Sequence, residues 1–590
     1  MGIKTKKDVG ANVKSNGVMF RVWAPFAENV AVTGSFNNWG EEALTSENDG
    51  YWSLFVRGAT TGQEYKYVIY RDGEKLYRND PRALHFTTSA GNSVIASSSF
   101  NWEGDFFQSI PIEKQVIYEL HVGTFNRPDP AINGTFYDLI NKLDYLKDLG
   151  VNMIEIMPVS SMMMDRGWGY AIDYIFAVES LYGGRHAFLQ FVKSAHARGI
   201  GVILDVVYNH FGPDTHLDLW NFDGWHEENY GGIYFYNDWR AETPWGNTRP
   251  DFGRPEVRQY ILDNITMWIH DCHIDGLRVD STIFMRNVKG SNDDPAHDLS
   301  EGWLLLQQIN SIAKKINPTV ITIAEDVADN DYIVKPTKEG GAGFSSQWEL
   351  GFPGVLRQAL YSNEVPKIDL SGLLGELPRR YNNNPFERVI FADSHDSAAN
   401  GSSRLIETIA PGKSDSLFAR QQALLAATIV LSTPGVPMLF QGQEFMQGGS
   451  FNDWQGMDWS KSSRFSGIIM AHKHLIELRK NIWNNTAGLM GPNINIMHAD
   501  KDNKVIAYHR WNNGGPKDDV VIVINFSNRS FEEYVVGFPR NGTWKLRFNS
   551  SWKGYDRDFQ EITIGDVRVE NGGGSFALPP GSALIFSQDD

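Results

Sequence analysis

The sequence predicts an α/β fold, a (β/α)₈ barrel (TIM barrel), with an N-terminal β-sandwich module and a C-terminal all-β domain. Two observations predict this arrangement. Residues 106–485 alternate short apolar runs with amphipathic runs eight times, which is typical of a closed parallel barrel. Residues 1–105 and 486–590 instead contain only short runs rich in β-branched and aromatic residues, which are typical of antiparallel sheets.

The two flanking units are predicted from strand-like runs that end at Gly, Asn or Asp. In residues 1–105 these runs are VMFRVWAP, NVAVTGSF, YWSLFVRG, YKYVIYRDG and NSVIASS. In residues 486–590 they are KVIAYHRW, DVVIVINFS, EYVVGF and SALIFSQ. Neither unit contains a constellation of catalytic residue types, so we expect the chemistry to lie in the barrel.

The barrel is predicted from eight apolar strand candidates. They are VIYELH at 116, NMIEIM at 152, GVILDV at 201, IDGLRV at 274, VITIAE at 320, SSQWEL at 345, RVIFAD at 388 and GVPMLF at 435. Amphipathic runs such as FYDLINKLDYLKDLG lie between them. The segment 207–255 is too long for a simple connection and is rich in Tyr and Trp, so we expect a loop subdomain over the site.

Composition excludes several classes of function. The chain has 590 residues, 42% apolar and 21% charged, and no apolar run near the ~20 residues that a membrane helix needs. A net charge of −17 without clustered Lys and Arg argues against a nucleic-acid partner. The lysines near the start precede no apolar stretch, so we expect a cytoplasmic protein, and we expect a monomer. The single cysteine, Cys272, cannot form an internal disulfide and is interpreted as structural.

Candidate catalytic residues were sought where barrel strands end, because barrel enzymes carry their catalytic groups there. Four strand ends carry them. The residues are Asp205 and His210 after strand three, Arg278 and Asp280 after strand four, Glu325 after strand five, and His395 and Asp396 after strand seven. A lone Asp is often a helix cap, and a lone His is often a satisfied hydrogen-bonding group. Recurrence at four strand ends favours a catalytic site instead.

Paired carboxylates are the groups that a retaining glycosidase needs. One carboxylate attacks the sugar, and a carboxylic acid protonates the leaving oxygen, with about 5–5.5 Å between the two. Arg278 lies two residues before Asp280, so we expect it on the same face, holding Asp280 ionised as the nucleophile. Neighbouring carboxylates should raise the pKa of Glu325, keeping it protonated as the general acid/base.

These residues resemble the four sequence signatures of the α-amylase superfamily of glycoside hydrolases and transglycosylases. The matching runs are DVVYNH, GLRVD, IAED and SHD, in that order, and the resemblance covers most of 116–460. It implies that Asp280 is the nucleophile, Glu325 the acid/base and Asp396 a third catalytic carboxylate. It also implies a set of residues around the bound sugar, of which Tyr170, in GWGY, stacks on it; the set is Tyr170, Asp205, His210, Arg278 and His395.

The first hundred residues resemble a second element of the same superfamily. FRVWAPFAENVAVTGSFNNW is similar to the carbohydrate-binding-like β-sandwich that precedes the barrel in branching enzymes, debranching enzymes and trehalose-releasing hydrolases. Such modules bind glucan or only pack against the barrel. Trp39 and Trp52 are therefore candidate sugar contacts, with core packing as the alternative.

Within the superfamily, the signature variants favour a glycogen branching enzyme. IAEDV, ADSHD, GWGY and PMLFQGQEF resemble the versions found in 1,4-α-glucan branching enzymes, which cut α-1,4 links and form α-1,6 branches. DVVYNHFGP and the YGG spacing also resemble maltooligosyltrehalose trehalohydrolases, and SHDSAANG departs from both groups. The alternative is therefore a hydrolase of the α-amylase or trehalohydrolase type, acting on an α-glucan or maltooligosaccharide.

No metal or other cofactor is predicted. The histidines and carboxylates at the strand ends lack the close ligand spacing of a zinc motif. Some relatives bind calcium in the loop after strand three, where Asp214, Asp218 and Asp223 carry oxygen ligands. Solvated loop acids are the commoner explanation for such residues.

Overall fold

The computed structural model describes residues 9–162, 164, 166–212, 218–560 and 562–590. In this part of the chain, an antiparallel β unit is followed by a closed parallel barrel and a second antiparallel β unit. The predicted fold class is confirmed. No helix among these residues is long and apolar enough to cross a membrane.

The N-terminal unit is built from two antiparallel sheets. Its strands are β1 (Gly10–Lys14), β2 (Gly17–Trp23), β3 (Asn29–Gly34), β4 (Glu41–Ala43), β5 (Thr45–Ser46), β6 (Tyr51–Arg57), β7 (Glu64–Arg71), β8 (Glu74–Arg78) and β9 (Ser93–Val94). One sheet has the order β1-β2-β6-β5, and the other has the order β4-β3-β7-β8, with β9 paired to β7. Val18, Phe20 and Val22 alternate along β2 and are buried between the sheets, as the period of a half-buried strand requires.

The barrel lies between residues 117 and 440. The strands of this region are β10 (Ile117–Leu120), β11 (Met153–Ile156), β12 (Ser160–Met162), β13 (Ile172–Val178), β14 (Gly201–Val206), β15 (Gly276–Val279), β16 (Ile321–Ala324), β17 (Ser346–Trp348), β18 (Arg388–Phe391) and β19 (Val436–Phe440). The closed order is β10-β11-β14-β15-β16-β17-β18-β19, and every barrel strand falls in a predicted segment. β12 and β13 form a separate antiparallel pair above β11.

Side chains inside the barrel form an apolar base and a charged upper layer. Ile117, Met153 and Ile203 belong to one buried apolar cluster at the base. Because side chains alternate along a strand, the residues two positions later face the same way, and these are Glu119, Glu155 and Asp205. Glu119 pairs in register with Glu155, and Asp205 pairs with Arg278. The apolar base therefore supports a row of ionisable groups beneath the strand ends.

Helices surround the barrel. They are α1 (Val122–Phe125), α2 (Phe136–Ile140), α3 (Leu143–Leu149), α4 (Gly184–His196), α5 (Pro255–Thr266), α6 (Thr282–Arg286), α7 (Ser300–Ile316), α8 (Phe352–Leu360), α9 (Ser371–Glu376), α10 (Leu405–Ile409), α11 (Leu417–Ser432), α12 (Ser460–Arg464) and α13 (Ser466–Arg479). A capping box between Thr135 and Asp138 starts α2, and Gly150 ends α3 in the left-handed conformation. Cys272 is fully buried beyond the end of α5.

The long segment after β14 packs against the N-terminal unit. Arg78 at the end of β8 donates hydrogen bonds to the carbonyl oxygens of Phe222, at 3.1 Å, and Asn221, at 3.0 Å. Phe26 stacks on Trp225 with ring centroids 4.6 Å apart. These contacts fix the described part of the loop, residues 218–254, between the first unit and the barrel mouth.

The C-terminal unit is a second antiparallel structure. Its strands are β20 (Asn493–Asp500), β21 (Val505–Trp511), β22 (Val520–Asn525), β23 (Phe531–Gly537), β24 (Gly542–Asn549), β25 (Val567–Val569), β26 (Gly573–Leu578) and β27 (Ser582–Ser587). A larger sheet has the order β20-β21-β22-β27-β24-β25, and β23 pairs with β26. The Tyr508 hydroxyl bonds to Ser432 at the end of α11, which joins the unit to the barrel.

Candidate active site

Three carboxylates at the ends of barrel strands border one cavity of about 290 Å³. Asp280 directly follows β15, Glu325 directly follows β16, and Asp396 lies in the loop after β18. The cavity is lined by Trp168, Tyr170, His210, Trp245, Asp280, Ser281, Glu325, His395, Asp396 and Asn400. Because parallel strands end at one rim of a barrel, groups far apart in sequence meet there.

The guanidinium group of Arg278 joins the carboxylates from below. It is fully buried, and its Nη1 donates to Asp205 Oδ2 and to Asp280 Oδ1, both at 2.8 Å. Its Nη2 lies 2.9 Å from Glu325 Oε2. The group also lies over the ring of Trp348, 4.3 Å from its centroid. A rigid, planar cation with several donors can hold separate carboxylates in fixed positions.

Each carboxylate oxygen of Asp280 accepts a hydrogen bond. Oδ1 accepts from Arg278, and Oδ2 accepts from Asn209 Nδ2 at 2.7 Å. The same amide nitrogen donates to the Asp280 carbonyl oxygen at 3.0 Å, which fixes the backbone as well. Both oxygens therefore have fixed partners, which hold the carboxyl group in one orientation.

Glu325 has a different environment. Burial raises its pKa to about 8; Arg278 opposes the shift, and Asp280 and Asp396 add to it. The raised pKa and the contribution of the neighbouring carboxylates agree with the expectation from the sequence, and desolvation of the buried group is the larger effect. A carboxyl group with this pKa carries its proton at neutral pH.

Ser281 connects the two carboxylates through the backbone. Its amide N–H donates to Glu325 Oε2 at 2.9 Å. The residue has φ 43°, in the left-handed region that non-glycine residues adopt at a cost of about 1–2 kcal/mol. Because of this turn, which directly follows Asp280, the Ser281 amide points towards Glu325.

Tyr170 and His395 form one wall of the cavity. The rings stack with centroids 5.3 Å apart, and the Tyr170 hydroxyl lies 2.9 Å from His395 Nε2 and 2.7 Å from Asp205 Oδ2. Gly169 directly precedes Tyr170 and has a φ of +94°. A Cβ at this position would lie 2.2 Å from the Pro158 carbonyl oxygen. Glycine is therefore required before the tyrosine.

His395 is held from behind by Glu119, with Nδ1 2.5 Å from Oε1. Burial alone would lower the pKa of His395, but Asp396 and Glu119 overcome it and raise the pKa to about 9. The ring is therefore positively charged at neutral pH, unlike an ordinary buried histidine.

His210 and Trp245 form another part of the cavity wall. Their rings stack with centroids 4.5 Å apart and an angle of 14° between them. Burial lowers the pKa of His210 to about 4, although Asp280 acts against the shift, so the ring is neutral at neutral pH. Trp245 comes from the long loop after β14, so the segment predicted to cover the site does contribute to it.

Asp396 is the most exposed of the three carboxylates, with 44% of its side chain accessible. Its Oδ1 lies 3.6 Å from His395 Nε2 and 3.4 Å from Asn400 Nδ2. It is less tightly held than Asp280, which suits a group that binds a substrate hydroxyl.

The structure brings the predicted site residues together. Six of them line the cavity: Tyr170, His210, Asp280, Glu325, His395 and Asp396. Asp205 and Arg278 lie buried beneath it and contact the lining residues instead. Sequence reasoning missed four residues, namely Glu119, Trp168, Ser281 and Asn400. A glutamate within the apolar run VIYELH was a usable signal, because a buried carboxylate needs a partner.

The candidate calcium ligands have other partners. Asp218 Oδ2 accepts hydrogen bonds from the Asn79 amide at 3.0 Å and the Tyr174 hydroxyl at 2.8 Å. Asp223 Oδ2 accepts one from the Phe26 amide at 2.9 Å, and Asp214 lies outside the described residues. Among the residues that the structure describes, no three His, Cys, Asp or Glu side chains are grouped as metal ligands would be.

The two candidate sugar contacts of the N-terminal unit differ. Trp39 is 46% exposed. Trp52 is partly buried, and its indole N–H donates to the Ala24 carbonyl oxygen at 3.0 Å. Trp52 therefore has a packing role, whereas Trp39 presents its ring to solvent.

Comparison with known proteins identifies the family. The family model for the α-amylase catalytic domain matches residues 119–218 and 213–488, which is more than half of the chain. The chain belongs to the α-amylase family. The resemblance of the four signatures is thereby confirmed, and this α-amylase-family chain is an enzyme of the glycosyltransferase and glycoside hydrolase class.

The flanking units of this α-amylase-family enzyme also match family models. Carbohydrate-binding module 48, the isoamylase N-terminal domain, matches residues 8–83. The α-amylase C-terminal all-β domain matches residues 496–589. The family thus accounts for all three structural units.

Similar proteins include curated enzymes and solved structures. The chain is 30% identical to the 1,4-alpha-glucan branching enzyme GlgB of Corynebacterium glutamicum, over 92% of this chain and 76% of that protein. It is also 30% identical to that of Halothermothrix orenii, over 90% and 87%. A pullulanase from Anoxybacillus in complex with maltotetraose shares the fold, with a TM-score of 0.75, 21% identity and coverage of 98% and 87%. The pullulanase of Bacillus subtilis has a TM-score of 0.77, 19% identity and coverage of 99% and 85%.

Proposed function

We propose that the enzyme is a retaining 1,4-α-glucan branching enzyme that cuts an α-1,4 link and forms an α-1,6 branch through a covalent glycosyl-Asp280 intermediate. One observation carries the mechanism. Arg278 contacts both Asp280 and Glu325, yet the first accepts a hydrogen bond on each carboxyl oxygen and the second has a pKa of about 8. A nucleophile and a proton donor side by side are what retaining glycoside cleavage needs.

In the first step, Asp280 attacks the anomeric carbon of the donor glucan. The bond from that carbon to the glycosidic oxygen breaks while the bond to the Asp280 oxygen forms. Glu325 gives its proton to the departing oxygen, so the shortened chain leaves with a free hydroxyl group. Glu325 is then a carboxylate, and the sugar is covalently bound.

In the second step, Glu325 acts as the base. It takes the proton of the 6-hydroxyl of an acceptor glucan, and that oxygen attacks the anomeric carbon. The bond to Asp280 breaks, Asp280 returns to its ionised form, and Glu325 is protonated again. Two inversions leave the new α-1,6 link with the configuration of the old α-1,4 link.

The surrounding residues bind the reacting sugar. Tyr170 and Trp245 both line the cavity with aromatic rings, which suit the apolar faces of a sugar ring. Asp396 accepts hydrogen bonds from sugar hydroxyls. Neutral His210 uses its one N–H on Asn209 Oδ1, so its Nε2 can accept from a sugar hydroxyl, and charged His395 holds the Tyr170 hydroxyl in place. Asp205 keeps Tyr170 and Arg278 in place from below.

The similarity to curated branching enzymes, at 30% identity over nine tenths of the chain, supports transfer to a sugar acceptor rather than to water. Hydrolysis of α-1,4-glucans is the second candidate, because water can resolve the same covalent intermediate. Both reactions have the same first step. They differ in whether a sugar hydroxyl or water resolves the intermediate.

Incubation with amylose distinguishes the two. Branching lowers iodine staining without a matching increase in reducing ends, and NMR detects new α-1,6 anomeric signals. Hydrolysis increases reducing ends in proportion to the loss of staining and would contradict the transfer proposal. Asp280→Asn is the control for the mechanism: it should abolish both reactions, by at least about 10⁴-fold, while leaving glucan binding largely intact.

A further inference from the structure

A chain of hydrogen bonds runs through His395 and determines which atoms carry protons. The Tyr170 hydroxyl donates to Asp205 Oδ2 at 2.7 Å, and its oxygen lies 2.9 Å from His395 Nε2. A tyrosine hydroxyl has one proton. When that proton goes to an ionised Asp205, the contact with His395 is a hydrogen bond only if Nε2 carries a proton of its own.

The other ring nitrogen of His395 faces Glu119. Nδ1 lies 2.5 Å from Glu119 Oε1, and the backbone N–H of His395 donates to Oε2 at 3.1 Å. Both carboxylate oxygens therefore contact the same residue. With Glu119 ionised, Nδ1 also has to carry a proton. Glu119 is 1% exposed, so the pair is shielded from water and its attraction is strong.

We propose that Glu119 is a positioning residue that holds His395 as a doubly protonated imidazolium, with its Nε2–H at the cavity wall. The charge state does not depend on which acceptor the enzyme uses. Its effect on catalysis rests on the proposed function. There the imidazolium stays positive beside Asp396 and keeps the Tyr170 hydroxyl in place while negative charge passes between Asp280 and Glu325.

Other groups around His395 act in both directions. Besides Glu119 and Tyr170, the charged or titratable neighbours are His121, Glu155, Asp205, Arg278 and Asp396. Asp396, 3.6 Å away, favours the imidazolium, and Arg278 disfavours it. Burial lowers the pKa of His121 to about 4, so that ring is neutral. Burial raises the pKa of Asp205 to about 7, so the hydrogen-bond chain described above holds from about neutral pH upwards.

Glu155 provides a matched control. It lies beside Glu119 in register on the adjacent strand and is 1% exposed. Neither of its carboxylate oxygens hydrogen-bonds to a residue that the structure describes. Burial raises its pKa well above the ordinary value, which favours the uncharged carboxyl group. Glu155→Gln therefore removes a buried carboxyl of the same layer without changing the contacts of His395.

The test is a pH titration of ¹⁵N-histidine-labelled full-length enzyme by NMR, with His395 assigned from the signal lost in His395→Asn. In the unsubstituted enzyme, both ring nitrogens should keep their protons to about pH 9. In Glu119→Gln, the loss of the nearby negative charge should lower the pH at which His395 titrates by about 1–3 units. Glu119→Asp should titrate His395 between these two pH values. Glu155→Gln should titrate His395 at the same pH as the unsubstituted enzyme.

A neutral His395 at pH 7.5 in the unsubstituted enzyme would overturn the proposal, even if Glu119→Gln failed to fold. An unchanged titration in a folded Glu119→Gln would also overturn it. A second measurement is kcat/KM on amylose against pH. The alkaline limb, which Glu325 sets near pH 8 in the unsubstituted enzyme, should move to lower pH in Glu119→Gln and stay in place in Glu155→Gln. If product analysis shows hydrolysis instead, the branching proposal fails while the NMR result still stands.

Discussion

The backbone N–H of Ser281 donates to Glu325 Oε2 at 2.9 Å, although Ser281 belongs to the strand end that carries Asp280. The two groups of the proposed double displacement are thus joined by the main chain as well as by Arg278. Side-chain motion can disturb a contact between side chains, but an amide in a turn moves only with the backbone.

Substitution of Ser281 tests the role of this turn. Ser281→Gly keeps the N–H and removes the strain of φ 43°, while adding the entropy cost of glycine. We expect near wild-type kcat and an increase of up to about 1 kcal/mol in the free energy of unfolding, measured with urea. Ser281→Pro removes the donor and cannot adopt this φ, so activity should be lost; an active Pro variant would show that the amide is dispensable.

Substitution of Arg278 tests the shared guanidinium. Arg278→Lys keeps the positive charge but cannot contact three carboxylates at once, so we expect a loss of kcat of more than about 100-fold and a cost of about 3–5 kcal/mol in unfolding free energy. Arg286, which pairs with Asp326 outside the cavity, provides a control. Arg286→Lys should affect stability more than kcat.

The pKa of Glu325 predicts the alkaline side of the activity profile. The general acid must be protonated, so kcat/KM should fall about tenfold per pH unit above pH 8. A raised pKa also means that the folded chain binds this proton more tightly than the unfolded chain. The free energy of unfolding should therefore decrease as pH rises from about 4.5 to about 8.

Glu325→Gln separates these two effects. The amide does not ionise, so thermal unfolding should depend less on pH over that interval than in the unsubstituted enzyme, while turnover is lost. An identical pH dependence of the melting temperature in both proteins would show that Glu325 has an ordinary pKa.

Trp245 is predicted to act in binding. Trp245→Ala removes the ring that stacks on His210 and opens one side of the cavity. We expect KM for maltooligosaccharides to rise about tenfold, with a smaller change in kcat, since an aromatic pair contributes about 0.5–1.5 kcal/mol beyond its buried area. Trp245→Phe should recover most of the affinity. A fall in kcat at constant KM would assign Trp245 to the chemical step instead.

Much of the fold and part of the candidate site could be predicted from the sequence. The barrel strands are short apolar runs between amphipathic ones, so their position follows from hydrophobic periodicity alone. Asp280 and Glu325 could be found because a strand end fixes where its next residue points. Trp168 and Asn400 could not, because they lie on irregular loops whose course depends on packing between distant segments. The left-handed turn at Ser281 could not be predicted either, because the position holds neither glycine nor asparagine.

Arg78 and Phe26 contact residues 221–225, so the N-terminal unit supports the loop that brings Trp245 to the mouth of the barrel. Deleting the N-terminal unit would therefore also remove the contacts that support one wall of the cavity. Low activity in such a shortened enzyme would therefore reflect the lost support of the loop. A point substitution of Trp39 tests separately whether the N-terminal unit binds glucan.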